Sequence, residues 1–223
     1  GAGGMGGGGG AVGGARRATG RRARVHVEEA AVIAALYVAT GGCYFGLDGV
    51  DPWDEQRDAR LYAGPWPVVA HPPCARWCRL AKQVEKRIGT KVGADGGTFA
   101  AALASVRRHG GVLEHPAFTL AWSAHDMVPP GAFGWTREAF GPGWVCEVSQ
   151  AAYGHRAQKR TWLYYVGAKP PPPLDWRRPR PIATTTTSRG DKAGSVEMTS
   201  HKERAATPPA FRDALLALAR GAR

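Results

Sequence analysis

Long apolar runs are missing from this chain. No stretch approaches the roughly 18–20 uninterrupted apolar residues that a membrane-spanning helix needs, and Val32 to Val38 falls far short. No apolar segment suited to a secretory signal follows the first arginines, and four cysteines at irregular spacing do not read as an oxidised framework. The expectation is a soluble protein of a reducing cytoplasm. Acidic residues are scarce too: 18 Asp and Glu face 30 Lys and Arg, a formal charge of +12. That balance disfavours a cationic partner and favours a polyanion, nucleic acid first.

The charge is unevenly distributed over the 223 residues. Residues 1–24 hold Arg16, Arg17, Arg21, Arg22 and Arg24 and no acid, contributing +5; residues 168–223 contribute +6, leaving +1 for the middle. The first fourteen residues are mostly glycine, which cannot offset the entropy of ordering the backbone, so 1–24 reads as a disordered Gly/Arg-rich leader. Residues 25–167 read as the core. Residues 168–204, with Pro170 to Pro173 and Thr184 to Thr187, read as a Pro/Thr-rich linker. Residues 205–223 read as a C-terminal helix packing on the core, with Phe211, Leu215, Leu216 and Leu218 at helical spacing behind Pro208-Pro209.

Within the core, strand-like pieces (Val32 to Val38, Pro67 to Ala70, Val112-Leu113, Trp144 to Val148, Thr161 to Val166) are interleaved with helix-like ones such as Phe99 to Arg108. That alternation indicates an α/β sheet. Val92 to Gly97, with Thr98 following, reads as a loop and N-cap for the helix after it.

Three segments carry groups able to do chemistry. Pro67-Val-Val-Ala-His-Pro-Pro-Cys-Ala-Arg-Trp-Cys78 is a buried strand running into a stiff loop, which places Cys74 at the carboxyl edge of a sheet, where open α/β folds hold ligands. Gly111-Val-Leu-Glu-His-Pro116 ends a second strand in a carboxylate, Glu114. Tyr153-Gly-His-Arg-Ala-Gln-Lys-Arg-Thr-Trp-Leu163 is a basic loop feeding a third strand. If these strands are neighbours, a thiol, a carboxylate and cations converge.

That ordered set resembles the DNA cytosine-5 methyltransferases. Pro73-Cys74 matches the family's Pro-Cys nucleophile loop, and Glu114-His115 matches its Glu-Asn motif with His in place of Asn. Tyr153-Gly154, Gln158 and Arg160 match its Tyr-Gly…Gln-x-Arg-x-Arg loop, with Trp162 where the last Arg stands. Leu36-Tyr-Val-Ala-Thr-Gly-Gly42 is similar to the cofactor loop without its acidic residue, Val50-Asp-Pro-Trp-Asp54 to the strand end that contacts adenosine, and Ala206-Thr-Pro-Pro-Ala-Phe211 to the last motif. The resemblance covers about residues 31–166 and 205–220. The family's target-recognition domain has no counterpart in the roughly forty residues between Val166 and Ala206.

The resemblance implies a Rossmann-like, methyltransferase-type sheet with flexible basic termini, and an enzyme that uses S-adenosyl-L-methionine to methylate C5 of a flipped or single-stranded cytosine in DNA. Cys74 would add to C6 as a thiolate, its pKa lowered by Arg76, Arg79 and a helix start. Glu114, with a raised pKa, would protonate N3. Arg160, or Lys159 if the loop shifts by one residue, would hold O2. Gly41, Gly42, Asp51, Trp53 and Pro72 would contact the cofactor, and Arg76, Arg79, Lys82 and Arg156 the phosphates.

Other readings stand beside it. Cys74 can be a small buried hydrophobe, as Cys43, Cys78 and Cys146 are taken to be, and Glu114 can pair with Arg156. The cations of 76–91 can be a solvated helix face. His71, Cys74 and Cys78, completed by Cys43 or Cys146, would make a zinc site. His26-Val-Glu28 with Pro73-Cys74 resembles the zinc nucleobase deaminases, although the spacing Cys74 to Cys78 is one residue too long. A catalytically degenerate DNA-binding protein of the same fold, and a cytosine hypermodification enzyme using another one-carbon donor, complete the alternatives.

Overall fold

The protein is seen here as a computed structural model that describes residues 32–139, 141–184, 197–198 and 200–223. The leader 1–24, His26, Glu28 and most of the Thr184 to Thr187 run lie outside the described residues.

Short apolar runs bounded by Gly and Pro form the strands: β1 (Ile33–Leu36), β2 (Val50–Trp53), β3 (Val68–Ala70), β4 (Gly111–Pro116), β5 (Thr136–Arg137), β6 (Trp144–Ser149) and β7 (Arg160–Val166). Between and after them lie helices α1 (Ala81–Ile88), α2 (Thr98–His109), α3 (Leu120–Ala124), α4 (His201–Ala205) and α5 (Pro209–Arg220). A separate pair joins β8 (Ala183–Thr184) to β9 (Glu197–Met198). The main sheet has seven strands in the order β2-β1-β3-β4-β7-β6-β5. The first four are parallel; β7 runs antiparallel to β4 and to β6, and β5 antiparallel to β6. The α/β expectation holds.

Period-2 alternation divides the strands between two cores. Ala34, Leu36, Val68, Ala70 and Leu113 pack on α2 and α3 through Phe99, Leu103, Val106 and Trp122. Ile33, Ala35, Val69, Val112, Leu163 and Tyr165 pack on α5 through Phe211, Leu215 and Leu218. Each of these fully buried leucines contributes roughly 1.5–3 kcal/mol relative to exposure. Helix α5 is therefore a structural layer of the domain, and the basic C-terminal end is docked. The sheet stays close beside Gly111 because a Cβ there would sit 2.0 Å from the Val68 carbonyl oxygen, at φ +116°.

The 92–97 segment caps α2 through Asp95, which accepts from the Phe99 and Gly97 N–H groups at 2.9 Å each. One local expectation is corrected. The linker expected over 168–204 packs on the core in its first half. Trp135 donates to the Pro172 carbonyl (2.8 Å), Asp175 N–H donates to the Tyr153 hydroxyl (3.0 Å) and Arg178 pairs with Glu147. Its aromatic and apolar members Leu174 and Trp176 supply the burial that proline composition alone does not suggest.

Candidate functional site

Parallel sheets place ligands at their carboxyl edge, where the connections on either side of a strand pair diverge. Here that point lies between β1 and β3, because the chain goes from β1 outward to β2 and then returns to the other side of β1. The loop after β3 is rigid. His71 N–H continues the ladder to the Leu36 carbonyl (3.0 Å), Pro72 and Pro73 fix the backbone, and Cys74 opens a turn in which Trp77 and Cys78 N–H groups donate to its carbonyl. Buried Trp77 pins this turn to the start of α2 through Asp95 (2.8 Å).

Glu114 stands beside His71 on the neighbouring strand. Its Oε2 accepts from His71 Nδ1 at 2.9 Å, and its Oε1 faces the Gln150 amide at 3.4 Å. His71 Nε2 in turn lies 2.8 Å from the Tyr44 hydroxyl. With hydrogen on Nδ1 the ring donates to Glu114, and Nε2 shares the hydrogen bond with the Tyr44 hydroxyl. Burial alone would raise the Glu114 pKa, but the His71 hydrogen bond and the charges of His71 and Lys159 outweigh it and hold the group below its ordinary value. The expectation of a protonated Glu114 is thus corrected: its partner is His71, not Arg156, and it is a carboxylate.

Cys74 is corrected in the same sense. Burial raises its pKa, the nearby Glu114 charge and Cys78 add to that, and Lys159 opposes them. Arg76 and Arg79 do not figure among the influences on it. The resting pair is a thiol beside a carboxylate.

Of the two cations proposed for the base carbonyl, Lys159 is the one whose charge bears on Glu114 and Cys74. Its charge reaches Glu114, Cys74 and Cys43, burial lowers its pKa, and its ammonium donates to the Ala206 carbonyl at 2.7 Å. Its φ of +36° is uncommon for a lysine, a departure typical of residues whose direction is set by function. Arg160, the first residue of β7, is committed to Glu147 through bonds of 2.7 and 2.9 Å and lies over the Phe118 ring. Trp162 donates to the same Glu147 (3.0 Å) and packs between Phe118 and Trp122.

A cleft of about 350 Å³ opens at the switch between β1 and β3, lined by Tyr37, Val38, Asp54, Asp58, Arg60, Pro73 and Thr98 among others. Tyr37 has φ +59°, and its buried hydroxyl has no hydrogen-bond partner. Buried Asp54 accepts from Thr40 (2.7 Å). The cofactor residues expected from sequence do not line this cleft. Gly41 and Gly42 form the turn after β1, where a Cβ on Gly42 would meet the Ala39 carbonyl at 2.8 Å. Pro72 is buried behind Pro73. Asp51 and Trp53, two apart on β2, form their own cluster with Arg57, whose guanidinium lies 4.1 Å from the Trp53 ring.

The phosphate candidates fall into two groups. Arg79 and Lys82 are exposed and Arg76 is half-buried; α1 turns Lys82, Lys86 and Arg87 outward and buries only Ala81. Arg156 pairs with Glu203 at 3.4 Å on the far side of the basic loop. Among the described residues no group of three or more His, Cys, Asp or Glu side chains is disposed to hold a metal ion, and His71 is already engaged by Tyr44 and Glu114. All four cysteines are free thiols, with Cys146 buried. No helix among the described residues is long and apolar enough to cross a membrane.

Sequence reading missed Tyr44, Gln150 and the role of His71. His71 carries a positional signal: it follows its strand by one residue, as Glu114 follows Leu113, so the two fall level in the parallel register. Tyr44 and Gln150 carry none. Comparison with known protein families, curated proteins and solved structures finds no match to this chain.

Proposed function

We propose that this protein modifies cytosine at C5 in DNA through a covalent adduct of Cys74. One observation carries the reading: β3, β4 and the loop entering β7 bring a thiol, a carboxylate and an ammonium to one sheet edge, close enough to shift one another's protonation. The reading takes the sheet as Rossmann-like and methyltransferase-type. The reversal between β1 and β3, the cleft at that point and the docking of α5 behind it support this.

The residues fit S-adenosyl-L-methionine. The cleft is of ligand size, its acids Asp54 and Glu55 suit ribose hydroxyls and a cationic ligand, Asp58 being paired with Arg60, and the unpartnered Tyr37 hydroxyl offers a further polar contact. When bound, the cofactor would supply an electrophilic methyl group.

The chain's own groups account for activating the base. The Cys74 sulfur attacks C6, an S–C6 bond forms, the C5=C6 pair shifts toward C5, and N3 takes up a proton. The proton that leaves the Cys74 thiol balances the one gained at N3, with Glu114 as the carboxylate between them, so no preformed thiolate is needed. Lys159 would hold O2, and His71 with Tyr44 keeps the carboxylate oriented. After substitution at C5, the C5 proton leaves to solvent, the electrons of that bond re-form C5=C6 as S–C6 cleaves, and the proton held at N3 returns through Glu114 to the sulfur, restoring the thiol.

Cofactor-free exchange of the cytosine C5 hydrogen with solvent reads adduct formation alone, and trapping on 5-fluorocytosine DNA with S-adenosyl-L-methionine reads adduct formation followed by methyl transfer, because fluorine at C5 blocks the final elimination. Both should occur and both should vanish in Cys74→Ser. Modification that survives Cys74→Ala would sink the mechanism. Exchange without trapping would redirect the reading to another one-carbon donor, and cofactor binding with neither signal would leave a degenerate relative of the fold.

A further inference from the structure

Beyond the reactive edge a row of cations and rings runs along the antiparallel side of the sheet. It begins at exposed Arg79, five residues after Cys74, whose guanidinium lies 5.6 Å from the Phe118 ring. Arg160 covers the same ring at 4.5 Å. Arg160 and Arg178 share the nearly buried carboxylate of Glu147, and Arg178 lies 5.7 Å from the Phe133 ring. The order is thus cation, ring, cation, acid, cation, ring, with three positive charges against one negative.

Both rings are out of the core. Phe133 is 78% exposed and Phe118 is 40% exposed. Phe118 also has φ +63°, a left-handed conformation that a bulky aromatic residue rarely adopts. It sits in the turn between β4 and α3, where glycine or asparagine would meet the backbone requirement without strain. The ring packs on Trp162, is flanked by two guanidinium groups and keeps two fifths of its residue's surface in solvent.

We propose that this row is a platform for single-stranded DNA, with Phe118 and Phe133 stacking unpaired bases and Arg79, Arg160 and Arg178 following the phosphates. Rings that stack any base, alternating with cations spaced along the backbone, are the general means of holding single strands without sequence readout. Charge complementarity agrees, since the chain is strongly basic and the row is positive. Its placement is at the same carboxyl end of the sheet, with Phe118 two residues beyond β4 and Arg160 at the start of β7, on the α2 and α3 face, whereas Glu114 alternates onto the α5 face. Only 34 residues separate the end of β7 from the start of α4. The row would hold substrate where a larger recognition domain has no room. This inference rests on the DNA reading for its substrate but not on the chemistry at Cys74.

The test is equilibrium binding by fluorescence anisotropy, without cofactor and in the Cys74→Ser background so that no adduct forms. The probes are a mixed-sequence single strand, its duplex and heparin. We expect the single strand to bind at least tenfold tighter than the duplex. Phe118→Asn and Phe133→Ala should each weaken it about tenfold, as expected for one lost stacking contact. Phe118→Tyr should restore binding, and Phe118→Asn should melt no lower than the parent because it relieves the backbone. Duplex or heparin binding as tight as the single strand, or ring variants that bind like the parent, would overturn the platform. Adduct trapping can succeed or fail independently of either result.

Discussion

His115 follows Glu114 on β4, and its ring is fully buried against Phe99 and Trp122. Burial pushes its pKa down to about 4. In the unfolded chain the ring protonates near its ordinary 6.5, so between these values the unfolded state binds the extra proton. Stability should therefore fall as pH drops from about 6.5 to about 4, by roughly 3 kcal/mol, and level off below that. Denaturant titrations across this range should show the slope, and His115→Phe, which keeps the aromatic packing, should flatten it. His71 acts by another route. It holds Glu114 ionised, so the exchange reaction should have a broad plateau, bounded by the depressed Glu114 pKa and the raised Cys74 pKa. His71→Phe should move the acid limb to higher pH and narrow the plateau while leaving the alkaline limb in place. An unchanged acid limb would mean that His71 only packs.

At the scale of elements, spacing that suits glycine decides how closely the strands can pair. Gly111 begins β4 at φ +116° directly against the Val68 backbone, whereas Gly89, at φ +72° after α1, has open space around it. Gly111→Ala should cost roughly 2–4 kcal/mol, which lowers Tm by about 5–15 °C in a domain of this size. Gly89→Ala should cost only about 1 kcal/mol. Thermal unfolding of the two variants separates them. The strands legible in sequence were those with apolar runs long enough to be buried on both faces, β1, β3, β4, β6 and β7, together with α2 and α5, whose periodicity is helical. The two-residue strands β5, β8 and β9 leave no pattern to read, and β2 carries Pro52 because it lies at the sheet edge. Within the site, Cys74 and Glu114 were legible because a strand end announces each. Their protonation is set by partners far away in sequence: His71, 43 residues from Glu114, keeps that group a carboxylate, and burial with the Glu114 charge keeps Cys74 a thiol. Choosing Lys159 over Arg160 required the strand boundary to a single residue, and one residue moves a side chain to the opposite face.

For the whole molecule, the distribution of charge separates attraction from placement. The leader carries +5 and the core between 25 and 167 only +1. If the leader contacts a single strand fully, deleting residues 1–24 should reduce the slope of log affinity against log salt by up to about 3.5. Phe118→Asn should lower affinity without changing that slope. Measuring binding at several salt concentrations distinguishes the two, and a deletion that leaves the slope intact would show the leader has no part in binding.

The contacts that complete the reactive edge span nearly the whole described chain. Lys159 donates to the carbonyl of Ala206, and Arg212 donates to the carbonyl of Cys43, 169 residues away (2.9 Å). During translation neither contact can form until Ala206 and Arg212 have been made and have left the ribosome. A nascent chain long enough to expose Cys74, Glu114 and the ring-and-cation row thus still lacks the acceptor that fixes Lys159. A chain stalled or cut before α5 would hold Cys74 and Glu114 beside a lysine and a Cys43 turn that nothing yet anchors.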